Sequence, residues 1–132
     1  MNSLTGTIKE IQTEGQLSLV KLETASGMLS CIVIDTPATC AYLAEGKAVK
    51  AIFKETEVAI GTKDITGISL QNRIAGVITQ LDEGKLLTRI VLDTASGPVK
   101  AIITSRASSQ LTLHPGMEVL ALIKTNEIML AE

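Results

Sequence analysis

Two stretches of this 132-residue chain follow one pattern at a constant offset of 70. Gly6 meets Gly76, Ile8 meets Ile78, Leu22 meets Leu92, and Thr24-Ala25-Ser26-Gly27 recurs as Thr94-Ala95-Ser96-Gly97. Further along, Ile32, Leu43, Gly46, Val49, Ala51, Lys54 and Glu57 meet Ile102, Leu113, Gly116, Val119, Ala121, Lys124 and Glu127. One extra residue is expected in the second copy between Gly84 and Leu92. So many ordered agreements mark an internal duplication, and the fold must then be one small unit built twice. The division that follows is a first unit over residues 1–62, a connector over 63–71 and a second unit over 72–132. A unit of about 60 residues buries little surface by itself, so the copies are expected to pack on each other or on further chains.

Within each copy the apolar period is that of strands. Leu4, Gly6 and Ile8 alternate with Thr5, Thr7 and Lys9, as in a half-buried strand. Glu14-Gly15 turns the chain into a strand over 17–23, and Gly27 closes a hairpin into a strand over 28–34. That third strand is apolar on both faces at Ile32, Val33 and Ile34, which predicts a path through the middle of a closed barrel. Asp35-Thr36-Pro37 offers a cap and a first-turn proline for a short helix over 38–43, ended by Glu45-Gly46. Strands over 47–53 and 57–60 follow, with a bend at Lys54-Glu55-Thr56 between them.

The second copy repeats this order, with strands over 74–81, 85–93, 98–103, 117–123 and 127–130. Its helix is expected near 105–113, stopped by His114-Pro115-Gly116. The expected fold class is all-β: two tandem OB-like five-stranded barrels, each with one short helix, with a sandwich as the alternative. Ile65 and Ile68 give the connector a spacing able to pair with a sheet, and it is too poor in Gly and Ser for a simple tether.

Composition removes several function classes. The single histidine, His114, sits in a helix-stop turn, and the chain has no nucleophile elbow, metal-ligand cluster or phosphate-cradling loop, so no enzyme is predicted. A net charge of −2 and only two aromatics, Tyr42 and Phe53, supply neither the basic groove nor the stacking platforms of a nucleic-acid binder. An anionic membrane surface is equally poorly matched. There is no basic start followed by an apolar stretch and no apolar run long enough to span a bilayer, so a cytoplasmic location is expected. Cys31 and Cys40 face Ala101 and Gln110 in the other copy, and are expected as a buried small residue and a helix residue without a disulfide.

Lys54 and Lys124 are the same lysine in both copies, each at the end of the fourth strand and followed by a bend carrying Thr56 or Thr125. A bend that gathers backbone N–H groups beside an ammonium and a hydroxyl suits a small oxyanion, while a solvated strand-end lysine is the alternative. A tetrahedral dianion has no apolar surface to bury. Each charge-assisted hydrogen bond contributes about 1.5–3 kcal/mol, and micromolar affinity needs about 8 kcal/mol net, so about five donors must converge. A seam between barrels is the natural place to collect them.

The stretch Ser69-Leu70-Gln71-Asn72-Arg73-Ile74-Ala75-Gly76 resembles the Ser-Ala-Arg-Asn opening, closed by a glycine, of the molybdate-binding Mop domains of the molbindin family, relatives of the TOBE modules of oxyanion transporters. The Lys-Ala-Ser/Thr-x-Val ending of that family is similar to Lys54-Glu55-Thr56-Glu57-Val58 and Lys124-Thr125-Asn126-Glu127-Ile128. The resemblance covers nearly the whole chain as a tandem pair. It implies OB-like units, a homo-oligomer with a trimer favoured over a dimer, and molybdate or tungstate bound between units, with no organic cofactor and no direct side-chain coordination of the metal. The oxyanion-binding residues it implies are Lys54, Thr56, Ser69, Asn72, Lys124 and Thr125. Gln71 stands where the family has arginine, Glu55 replaces a small neutral residue, and the first copy opens at Met1-Asn2 without the Ser-x-Arg. The implied function is a cytoplasmic oxyanion-binding protein for storage, homeostasis or sensing. The alternatives are an interaction or regulatory module of the same fold, and an OB module for single-stranded nucleic acid.

Overall fold

The computed structural model describes residues 1–132. Its strands are β1 (Asn2–Glu14), β2 (Leu17–Thr24), β3 (Gly27–Val33), β4 (Ala48–Phe53), β5 (Ala59–Thr62), β6 (Asn72–Glu83), β7 (Leu87–Thr94), β8 (Gly97–Thr104), β9 (Glu118–Ile123) and β10 (Met129–Ala131). One α-helix, α1 (Ser105–Gln110), joins them. The strands form two five-stranded antiparallel sheets, in the orders β10-β4-β1-β2-β3 and β5-β9-β6-β7-β8. The all-β, OB-like architecture read from the strand periods is therefore present twice.

The fifth strands are exchanged. β5 pairs with β9, Ala59 opposite Leu122, and β10 pairs with β4, Met129 opposite Ile52. Those two contacts are themselves related by the offset of 70. After Lys54 and Lys124 the one-turn 3-10 helices Glu55–Glu57 and Thr125–Glu127 redirect the chain toward the opposite half. Val58 and Ile128 are buried at 3% and 2% exposure as the chain crosses, so the crossing is anchored by apolar burial.

The core is one cluster of 22 residues to which both halves contribute, and its members form eleven pairs at the offset of 70, from Leu4 with Ile74 to Val58 with Ile128. The strand period explains this: on β1, Asn2, Leu4, Gly6 and Ile8 point inward while Ser3 and Thr5 face solvent. Gly6 and Gly76 are required where β1 meets β2 and β6 meets β7. A Cβ at Gly6 would lie 3.2 Å from the Glu23 carbonyl oxygen, and one at Gly76 would lie 3.0 Å from that of Asp93.

Several expectations are corrected. The inserted residue does not exist: Thr13 pairs with Ser18 as Glu83 pairs with Thr88, so register at 70 holds through both hairpins. What moved is the glycine, Gly15 sitting one place further into its turn than Gly84. The helix over 38–43 is absent, and turns over residues 37–39 and 41–42 stand in its place. A single turn starts, with the Thr39 hydroxyl accepting from the Thr36 N–H at 2.9 Å and the Cys40 N–H reaching the Thr36 carbonyl at 2.9 Å, but the next bond, from the Leu43 N–H to the Cys40 carbonyl, closes a tighter turn and no helix propagates. Cys40 therefore lies between these turns; both cysteines are free, and burial pushes the Cys31 thiol up to about 12.

In the second copy Thr104 caps α1 by accepting from the Ala107 N–H, and the helix is shorter than the expected 105–113. It ends at Thr112 with φ 54°, where the Thr112 N–H reaches Ser109 and the Leu113 N–H reaches Ser108. This is a Schellman ending with threonine in the left-handed position usually held by glycine. β3 lies at a sheet margin and not in the middle, with Ile32 40% and Ile34 78% exposed. The connector joins neither sheet.

Candidate oxyanion site

The register of β6 with β9 ends at Asn72 opposite Ile123. Antiparallel pairing then lays the chain entering β6 beside the chain leaving β9. Ser69, Leu70 and Gln71 come to line, with Lys124, Thr125 and Asn126, an open cleft of about 280 Å³. Three of the sequence-predicted residues, Ser69, Lys124 and Thr125, thus meet although about 55 positions separate them. The lining holds one cation, two hydroxyls, two carboxamides and no carboxylate. Gln71 and Asn126 were not among the predicted residues, and the register that brings them in is invisible to motif reading.

Asn72 does not line the cleft. It is 1% exposed, and its Nδ2 donates to the Ser30 carbonyl at 2.8 Å while the Ser30 N–H donates to its Oδ1 at 2.7 Å. Asn2 makes the same pair with the backbone of Lys100, both bonds at 2.8 Å. The two asparagines clamp β6 to β3 and β1 to β8, so they tie one half to the other. Arg73 is also outside the cleft. Its Nε donates to the Leu70 carbonyl at 3.1 Å, Nη1 to Ile65 at 3.0 Å and Nη2 to Ile68 at 3.4 Å, all within the connector and the residue before Gln71.

Residues 68–130, which include this cleft, match the TOBE domain family. The family match falls on the second copy of the repeat. The chain is 30% identical over 105 residues to the molybdenum-pterin-binding protein MopB of Rhodobacter capsulatus, covering 78% of this chain and 39% of that protein. With MopA of the same organism it shares 29% over 133 residues, 98% of this chain and 50% of the relative. The chain thus spans half or less of these relatives' length. The fold of the cytoplasmic molybdate-binding protein ModG superposes with a TM-score of 0.89 at 24% identity, over 98% of this chain and 94% of that one. The duplicated fold is thus matched over nearly the whole of a known structure.

At the first copy the same register, Asn2 opposite Phe53, sets Met1 beside Lys54. Lys54 and Thr56 are exposed there, and they do not join the cleft of Lys124. The place of Thr125 is taken by Glu55, whose Oε1 lies 2.9 Å from the Met1 amino group. That hydrogen bond holds the Glu55 carboxyl below the usual carboxylate range. Glu57 and Glu127, one from each crossing, face each other. Burial first, and then the Glu57 carboxyl, push the Glu127 carboxyl up, with Lys124 opposing.

Proposed function

We propose that this chain binds molybdate, or its congener tungstate, in the cleft between Ser69–Gln71 and Lys124–Asn126, and acts by binding and not by catalysis. The observation that carries this reading is the meeting of the opening stretch and the closing stretch in one cleft lined by Lys124 and neutral donors. The fit is chemical. Lys124 supplies charge, Ser69 and Thr125 supply hydroxyls, Gln71 and Asn126 supply amide N–H groups, and the number of donors reaches the handful that a tetrahedral dianion requires. Asn72 contributes by fixing the start of β6, directly after Gln71. The names of MopA and MopB and the ligand of ModG support an oxomolybdenum species as the anion.

The role we infer is storage, homeostasis or sensing in the cytoplasm. Assembly into a homo-oligomer is supported by exposed apolar side chains such as Leu17, Ile34, Leu86 and Leu87, and the preference for a trimer over a dimer rests on the family resemblance alone. A thermal melt with molybdate, against sulfate and phosphate at matched ionic strength, tests the anion. A ligand at 100 times its Kd adds about 2.7 kcal/mol per site, several degrees for a chain of this size. A rise with molybdate alone supports selective binding; no rise at millimolar molybdate overturns it and leaves an interaction module. Light scattering on the same sample reads the oligomer.

A further inference from the structure

We propose that Arg73 is the positioning residue of the Lys124 cleft: its guanidinium turns the backbone N–H groups of Ser69 and Gln71 into the site by holding the carbonyls next to them. The inference rests on the anion-binding reading above. Its basis is the fan of three bonds from one side chain to the carbonyls of Ile65, Ile68 and Leu70. A trans peptide is planar, with its N–H and C=O pointing in opposite directions. Fixing the Ile68 carbonyl on Arg73 therefore directs the Ser69 N–H away from Arg73, and fixing the Leu70 carbonyl does the same for the Gln71 N–H. Neither N–H donates to any protein acceptor, although both residues line the cleft.

The three carbonyl oxygens would otherwise be free to swing toward the cleft, where each would repel an anion. Arginine suits this task because its five N–H donors lie in one rigid plane, whereas a lysine presents a single rotating ammonium. The arrangement is confined to one end of the molecule. The position 70 residues earlier is Ser3, which carries no guanidinium.

The test compares the full chain with Arg73→Gln, Arg73→Lys and Arg73→Ala variants. Molybdate affinity is measured by calorimetry, and backbone order parameters are measured without ligand. We expect Arg73→Gln to weaken molybdate binding about ten- to hundredfold, the range found when groups that orient ligands are removed. Order parameters over residues 65–71 should fall from about 0.85 toward 0.6 or lower while those of β6 and β9 stay unchanged. Methylguanidinium added to Arg73→Ala should restore both readings, and Arg73→Lys should fall between wild type and Arg73→Gln. A rigid connector in Arg73→Gln overturns the proposal. A loosened connector with undiminished affinity overturns it as well. If the wild-type chain itself binds no oxyanion, the functional reading is what has failed, and the order parameters still report whether the clamp exists.

Discussion

The Lys54 end and the Lys124 end have the same lysine, the same strand register and the same one-turn helix after it, yet Lys124 lines a cleft with neutral donors while a carboxylate follows Lys54. At the second end a connector delivers Ser69 and Gln71, and the residue after the lysine is Thr125. At the first end the residue after the lysine is Glu55, an acceptor where an anion needs donors, and it already holds the Met1 amino group. The difference teaches that a duplicated fold keeps its core in pairs while its ends diverge. Core positions must fill one shared interior, whereas strand-end positions answer only to what they bind.

The sharpest way to break the comparison is to remove each lysine. Lys124→Ala is expected to weaken molybdate binding by roughly 1.5–3 kcal/mol, or about ten- to hundredfold, while Lys54→Ala leaves calorimetric affinity within about twofold. Equal losses from both would make the two ends equivalent sites and erase the asymmetry. Next in size are the paired glycines, which probe the part of the molecule the copies share. Gly76→Ala should cost about 1–3 kcal/mol in urea unfolding, since its new Cβ would meet the Asp93 backbone, and Gly6→Ala should cost less. The reverse order would mean that the second copy's hairpin yields more easily than its tighter contact implies.

A smaller effect concerns Glu127 where the two crossings meet. Its carboxyl is raised above the ordinary value of 4.5 in the fold, so the native state holds this proton more tightly than the unfolded chain does. The stability it contributes therefore declines as pH rises through the window above that ordinary value. Glu127→Gln should flatten the pH dependence of the urea midpoint between pH 4.5 and 8 and raise it at the upper end; an unchanged slope would show that the facing Glu57 is not felt. The smallest expected effect is at the end of α1, the helix that the first copy lacks. Thr112→Gly relieves a β-branched residue at φ 54° and should stabilise the chain by about 0.5–1 kcal/mol in a thermal melt. No gain would mean that the Schellman bonds alone hold that ending.

Much of this was legible beforehand because period and offset are local properties. The alternation at Leu4, Gly6 and Ile8 foretold the inward face of β1, and the offset of 70 anticipated the eleven core pairs, since a repeated unit repeats its buried positions. The opening stretch at Ser69 and the closing stretch at Lys124 could each be read as half of a site. Pro37 and a capping residue are real helix signals and do start one turn, but starting a turn is not propagating a helix, and only the backbone bonds after Cys40 show that the chain stays in turns.

Sequence by itself thus determined the strands, the duplication and the lysine that marks each strand end. Tertiary structure decided which edge each fifth strand joins, that Asn72 is spent on the Ser30 backbone, and that Arg73 holds the connector. The physical reason is that β5 and β10 present the same apolar pattern to any partner edge. The choice between edges lies in where Val58 and Ile128 become buried, and burial is a property of the whole chain, settled when the two halves close around one core.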